Sequence, residues 1–86
     1  MTKLRDIQKA ILKELQSKKD DKNYNYYGDI KRCVSQHIGR KYFYHGFSHA
    51  FKSSVQFLSI NGLIEDNINK LRITPYGERV AKRIRG

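Results

Sequence analysis

The sequence predicts a small α+β domain, mainly α-helical, in which three amphipathic helices precede one β-hairpin and a fourth helix closes the chain. Three observations predict it. Apolar residues recur at 3.6-residue spacing through the first sixty positions. At Leu71 and Ile73 the period becomes two, with Lys70 and Arg72 between them. Thr74-Pro75 then supplies a helix cap followed by proline at the first helical position. A chain of 86 residues with a 38% hydrophobic share holds one small core, so residues 1–86 are expected to form a single domain.

The first helix is expected over about residues 2–18, with Leu4, Ile7, Ile11, Leu12 and Leu15 on its inner stripe and Ala10 beside them. Thr2 is its expected N-cap, Asp6 favours the positive end of the helix dipole, and Lys3, Lys9, Lys13 and Lys18 decorate the opposite side. A polar loop follows, in which Tyr24, Tyr26 and Tyr27 mark a very short strand. The second helix is expected over about residues 29–38, capped by Asp29. Ile30, Cys33, Val34, His37 and Ile38 face inward, and Gly39 stops the helix. An aromatic connector, Arg40 to His45, is longer than the tight turn of the simplest helix-turn-helix. The third helix is expected over about residues 46–61, burying Phe47, Ala50, Phe51, Val55 and Leu58 and ending at Asn61-Gly62. A hairpin over about residues 63–74 turns at Asn67-Ile68-Asn69. The last helix, about residues 75–85, turns Tyr76, Val80, Ala81 and Ile84 inward and Arg79, Lys82, Arg83 and Arg85 outward.

Charge narrows the function. Eighteen Lys and Arg against eight Asp and Glu leave +10, and both halves share the excess. Residues 1–43 carry eleven basic and five acidic groups, a net of +6; residues 44–86 carry seven and three, a net of +4. A field of that sign calls for a polyanionic partner, and nucleic acid is the first candidate. No apolar run approaches the ~18–20 residues of a membrane span. Met1-Thr2-Lys3-Leu4-Arg5-Asp6 lacks the apolar stretch of a signal peptide, and the lone Cys33 forbids an internal disulfide framework. A soluble cytoplasmic protein without a membrane or small-molecule partner is the expectation.

The order helix, short strand, helix, helix, hairpin, helix resembles the winged-helix family of helix-turn-helix domains. The specific text is Phe57-Leu58-Ser59-Ile60-Asn61-Gly62-Leu63-Ile64, similar to a recognition helix running into a wing. Leu71-Arg72-Ile73-Thr74-Pro75-Tyr76-Gly77 is similar to the strand that leaves the wing. The resemblance implies a double-stranded DNA-binding protein, a transcriptional regulator, with the third helix in the major groove. Ser48, His49, Lys52, Ser53 and Gln56 would then reach base edges, with Ser59 at the trailing end. The 63–74 hairpin would be the wing, bringing Asn67, Asn69, Lys70 and Arg72 to the backbone or minor groove. Lys31, Arg32, Arg40 and Lys41 would clamp phosphates around the turn between helices, which fixes register without reading sequence. Family regulators bind as two-fold dimers; residual apolar surface on the first and last helices, notably Ile84, offers a homodimer contact. An RNA- or ribosome-associated basic adaptor, or a protein–protein adaptor, is the alternative.

Other chemistries have thinner support. Cys33-x₃-His37 and His45-x₃-His49 are i, i+4 pairs of a kind that can chelate zinc, but one cysteine among them matches no common structural pattern. Tyr42 and Tyr44 are candidates for base stacking or phosphate contacts, whereas Phe47 and Phe51 belong to the core. Asp20-Asp21 and Glu65-Asp66 are adjacent acids with no nucleophile or cofactor motif nearby. The sequence therefore predicts no enzyme, no cofactor and no metal.

Overall fold

The structure is a computed structural model, and it describes residues 4–18, 25–38 and 43–84, with the side chains of 43–45 left aside. Among the described residues four helices and three short strands follow one another as α1 (Asp6–Ser17), β1 (Asn25–Tyr26), α2 (Tyr27–Ile38), α3 (Phe43–Ile60), β2 (Ile64–Asn67), β3 (Lys70–Ile73) and α4 (Pro75–Lys82). The fold is thus mainly helical with a small antiparallel sheet, in the order β1-β3-β2.

α1 is the hub: it packs against α2, α3 and α4. Its stripe Ile7, Ile11, Leu12 and Leu15 is essentially inaccessible, as the periodicity predicts. The helix begins later than expected, with Arg5 as the N-cap residue; Thr2 lies outside the described residues. The reason is Gln8, whose Oε1 accepts the Arg5 N–H at 2.9 Å and so satisfies that main-chain donor. Gln8 is itself buried among the apolar residues. At the other end Lys18 forms an ion pair with Glu14 at 3.1 Å.

α2 starts at Tyr27 rather than Asp29, so Asp29 stands in its first turn instead of capping it. The carboxylate still favours the positive helix end, and it pairs with Arg32 at 3.2 Å. The earlier start follows from Tyr27, whose ring meets Phe51 edge-on at 5.0 Å between centroids. Its N–H donates to the Asn69 carbonyl at 2.6 Å, which ties the head of α2 to the hairpin. The buried stripe is Ile30 and Val34, with Tyr27 and Ile38 packed against the core. Cys33 is only half-buried and His37 is exposed, so the two stand at the edge of the stripe rather than in it.

α3 also starts earlier than expected, at Phe43, and its 18 residues carry Gly46 in the interior. Nothing between Phe43 and His45 breaks a helix, and one glycine weakens it by only about 1 kcal/mol. Four residues, 39–42, therefore separate α2 from α3, a shorter connector than the sequence suggests. Phe47, Phe51, Val55 and Leu58 fill the centre of the core, with Ser54 buried beside them. The helix ends as expected at Asn61-Gly62. Gly62 has a φ of 75°, its N–H reaches the Ser59 carbonyl at 3.1 Å, and the Leu63 N–H reaches Leu58 at 2.9 Å. That is a Schellman stop, closed by the buried pair Leu58 and Leu63.

The hairpin pairs Ile64 with Ile73, Glu65 with Arg72, Asp66 with Leu71 and Asn67 with Lys70. Its tip is a two-residue turn, Ile68-Asn69, shorter than the expected three, and both residues have positive φ, 40° and 61°. Such a turn matches the right-handed twist of the flanking strands. Leu71 and Ile73 are buried while Lys70 and Arg72 are exposed, as the alternation predicts. Thr74 caps α4 through its Oγ1, which accepts the Gly77 N–H at 2.9 Å, and Pro75 opens the helix. Val80 and Ala81 are buried and Ile84 packs on the core. Tyr76, expected inward, is 46% exposed. Gly77 takes the inner position instead, because Gly77, Val80, Ala81 and Ile84 fall at i, i+3, i+4 and i+7. The helix ends at Lys82, with Arg83 as its C-cap residue.

Candidate nucleic-acid interface

The packing of α3 dictates what it shows to solvent. With Phe47, Phe51, Val55 and Leu58 turned inward, Ser48, His49, Lys52, Ser53 and Gln56 are left exposed. All five face away from the core, as the sequence predicts, while Ser59 at the trailing end is half-buried. Hydroxyl, imidazole, ammonium and amide groups stand on this surface within two and a half turns.

The hairpin rises beside it. Lys52, Val55 and Gln56 of α3 share a recess of about 490 Å³ with Tyr27, Asp66, Ile68 and Asn69. Two of the expected helix residues and one expected hairpin residue are therefore brought to one place. Asn67, Lys70 and Arg72 are also exposed on the hairpin. The Lys70 ammonium stands over the Tyr26 ring, 5.5 Å from its centroid, and this cation–π contact braces it near the tip.

Four recess residues are not among the sequence's site candidates: Val55, which the sequence assigns to the core, Tyr27, Asp66 and Ile68. Asp66 places a carboxylate beside Lys52 and Gln56, and Tyr27 contributes a phenol. Burial raises the Tyr27 phenol above its ordinary 10.0, and the negative charge of Asp66 raises it further. The sequence marks Tyr27 as part of a short strand and Asp66 as one of two adjacent acids without a motif nearby; their placement depends on how the hairpin leans over α3. The remaining recess residue, Ile68, is 84% exposed at the tip.

The other described candidates are not part of this recess. Lys31 is half-buried and Arg32 exposed on α2, with Arg32 engaged by Asp29. Arg40, Lys41 and Tyr42 lie outside the described residues, as does the Tyr44 side chain. Arg79, Lys82 and Arg83 are exposed on α4 and at its end. Among the described residues, Cys33 meets Lys18, whose Nζ lies 3.7 Å from the sulfur. Burial works to lower the Lys18 ammonium, but Glu14 and then Cys33 outweigh it and hold Lys18 above its ordinary 10.5. His37 and His49 are exposed. Among the described residues no group of three His, Cys, Asp or Glu side chains could hold a metal ion, and no helix is long and apolar enough to cross a membrane.

No protein-family model matches this chain, and no curated protein or solved structure is significantly similar to it.

Proposed function

We propose that this chain is a winged-helix protein that binds double-stranded DNA as a transcriptional regulator. α3 enters the major groove, and the 63–74 hairpin serves as the wing. The observation that carries the reading is the shared recess, where Lys52 and Gln56 of α3 meet Asn69 and Ile68 of the hairpin tip in a chain of net charge +10. The element order and the sheet order β1-β3-β2 are in keeping with such a domain. So is the interval of four residues between α2 and α3, a length that a helix-turn-helix accommodates.

The roles follow from side-chain chemistry. Gln56 has the bidentate amide that suits adenine, and Ser48, His49 and Ser53 donate to or accept from base edges. Lys52 reaches guanine or phosphate, while Lys70 and Arg72 neutralise the backbone beside the wing. Lys31, Arg32, Arg79, Lys82 and Arg83 add the sequence-independent attraction that a salt series measures. The protein acts by binding rather than by catalysis.

The test is a titration against random duplex DNA over a salt series, followed by fragments from the gene's own neighbourhood. A steep salt slope with one fragment held well above random supports a site-specific regulator. The same slope without a preferred fragment argues for architectural binding.

One observation favours a second reading, a basic RNA- or ribosome-associated adaptor. α3 carries a single Lys and no Arg, and the other exposed cations among the described residues are spread over α1, α2, the hairpin and α4 with its flanks. Competition between duplex DNA and structured RNA at matched salt separates the two.

A further inference from the structure

Ile68 occupies a place that neither its side chain nor its backbone favours. Its side chain is 84% exposed at the end of the hairpin. Its backbone has a φ of 40°, in the left-handed region, where a β-branched residue is an outlier. Asn, Asp or Gly is the ordinary first residue of a two-residue turn of this kind. The tip is nonetheless braced: Asn67 and Lys70 pair across the strands, and the Asn69 carbonyl takes the Tyr27 N–H at 2.6 Å. An apolar side chain is thus held out to solvent on a rigid mount.

We propose that Ile68 is an apolar wedge, entering the minor groove of duplex DNA and unstacking a base step. The inference rests on the duplex-binding reading above and assigns a role within it. The recess supplies the geometry. With α3 in a major groove, one sugar–phosphate strand separates it from the neighbouring minor groove. That strand lies along the recess between Lys52 and Gln56 on one side and Ile68 and Asn69 on the other. Ile68 therefore falls on the minor-groove side.

The surroundings fit that occupant. The minor groove is about 6 Å wide, and a two-residue turn is the narrowest end a hairpin can offer. Asn67 and Asn69 flank Ile68 with amide donors suited to the adenine N3 and thymine O2 acceptors on the groove floor. Lys70 supplies charge for the adjoining phosphate. A protein-docking surface would surround Ile68 with further exposed apolar side chains, whereas its sequence neighbours at the tip are Asn67, Asn69 and Lys70, and the exposed Tyr26 ring nearby is engaged by the Lys70 ammonium. Wedges of this chemistry kink duplexes at deformable steps.

The experiment uses the full chain and an alternating thymine–adenine duplex with 2-aminopurine at a central TpA step, the step that unstacks most readily. Wild-type protein at saturation is expected to raise 2-aminopurine emission about three-fold as the base loses its stack. Ile68→Asn is expected to bind about 5- to 10-fold more weakly and to leave the emission unchanged, while Ile68→Leu retains the rise. Folding does not confound the comparison, because Asn accepts the left-handed turn better than Ile and the unfolding midpoint should hold or increase. Tight binding without a rise, or an equal rise with Ile68→Asn, overturns the wedge and leaves the duplex-binding reading standing. Failure of the wild-type chain to bind the duplex at about 50 mM salt overturns both.

Discussion

Gly77 lies so close to the main-chain carbonyl of Leu63 that a Cβ at residue 77 would collide with it, and with Ile73 Cγ1 at 2.9 Å. The first turn of α4 is thereby seated on the residue that joins α3 to β2. Thr74 closes the same junction: its N–H donates to the Leu63 carbonyl at 3.1 Å and its hydroxyl to the Gly62 carbonyl at 2.6 Å. The Thr-Pro-Tyr-Gly text thus locks the base of the hairpin to the end of α3.

Gly77→Ala should therefore destabilise the domain, although Gly to Ala inside a helix ordinarily stabilises by up to about 1 kcal/mol. The obstacle is backbone, which cannot rotate aside, and overpacking of that kind costs about 3 kcal/mol. Urea unfolding reads it as a lower midpoint at unchanged slope. A midpoint equal to or above wild type would show that the α4 seat yields.

Thr74→Val keeps the shape and removes the hydroxyl. The Gly77 N–H loses its cap and the Gly62 carbonyl its donor, a loss of about 1–2 kcal/mol. Thr74→Ser should recover most of it. A wild-type midpoint in the Val variant with a loss in the Ser variant would assign the effect to the methyl group instead.

These contacts explain which parts of the fold could be read ahead. The end of α3 and the start of α4 are written in local signals: Gly62 must take a positive φ, and Thr74-Pro75 is a cap with its proline. The start of α3 is not legible, because Phe43 to His45 contain no breaker and the aromatic run passes for loop or helix equally well. The exposed face of α3 follows directly from its apolar spacing. The recess does not, because Tyr27, Asp66 and Lys52 meet only through the lean of the hairpin. Nor does the tip: Ile in a left-handed turn runs against its own preference, and the sequence rules favour the asparagines on either side.

Stability should fall at alkaline pH through Tyr27. Burial first, then Asp66, raises the phenol above its ordinary 10.0, so the folded state holds this proton more tightly than the unfolded chain. The contribution is complete below pH 10 and is lost as pH rises through 10 toward the folded value. In Tyr27→Phe the decline between pH 9 and 11 should be shallower, by thermal unfolding. An identical decline would assign the alkaline limb to other groups.

Asp66 would oppose a duplex at the proposed interface. Its carboxylate lines the recess where a phosphate strand would pass, and it is exposed on the hairpin. Asp66→Asn removes the repulsion while keeping the size of the side chain, so duplex affinity should rise about three-fold at low salt, with the gain shrinking as salt increases. Weaker binding by Asp66→Asn would mean that the carboxylate accepts a hydrogen bond from a base, as an acid can from cytosine.

Lys52 and Gln56, neighbours at i, i+4 on α3, should fail differently. Lys52→Ala removes a phosphate-reaching charge, so random and preferred duplexes should weaken together and the slope of log K against log salt should drop by about 1. Gln56→Ala leaves the charge intact; it should weaken the preferred fragment by about 1–3 kcal/mol and random DNA hardly at all. Fluorescence anisotropy at three salt concentrations distinguishes them. The distinction depends on α3 lying in the major groove, because there an amide meets base edges while an ammonium one turn away meets the backbone. If both variants lose affinity evenly and with the same salt slope as wild type, α3 is not the reading surface. The cations of α1, α2 and α4 then become the residues to change.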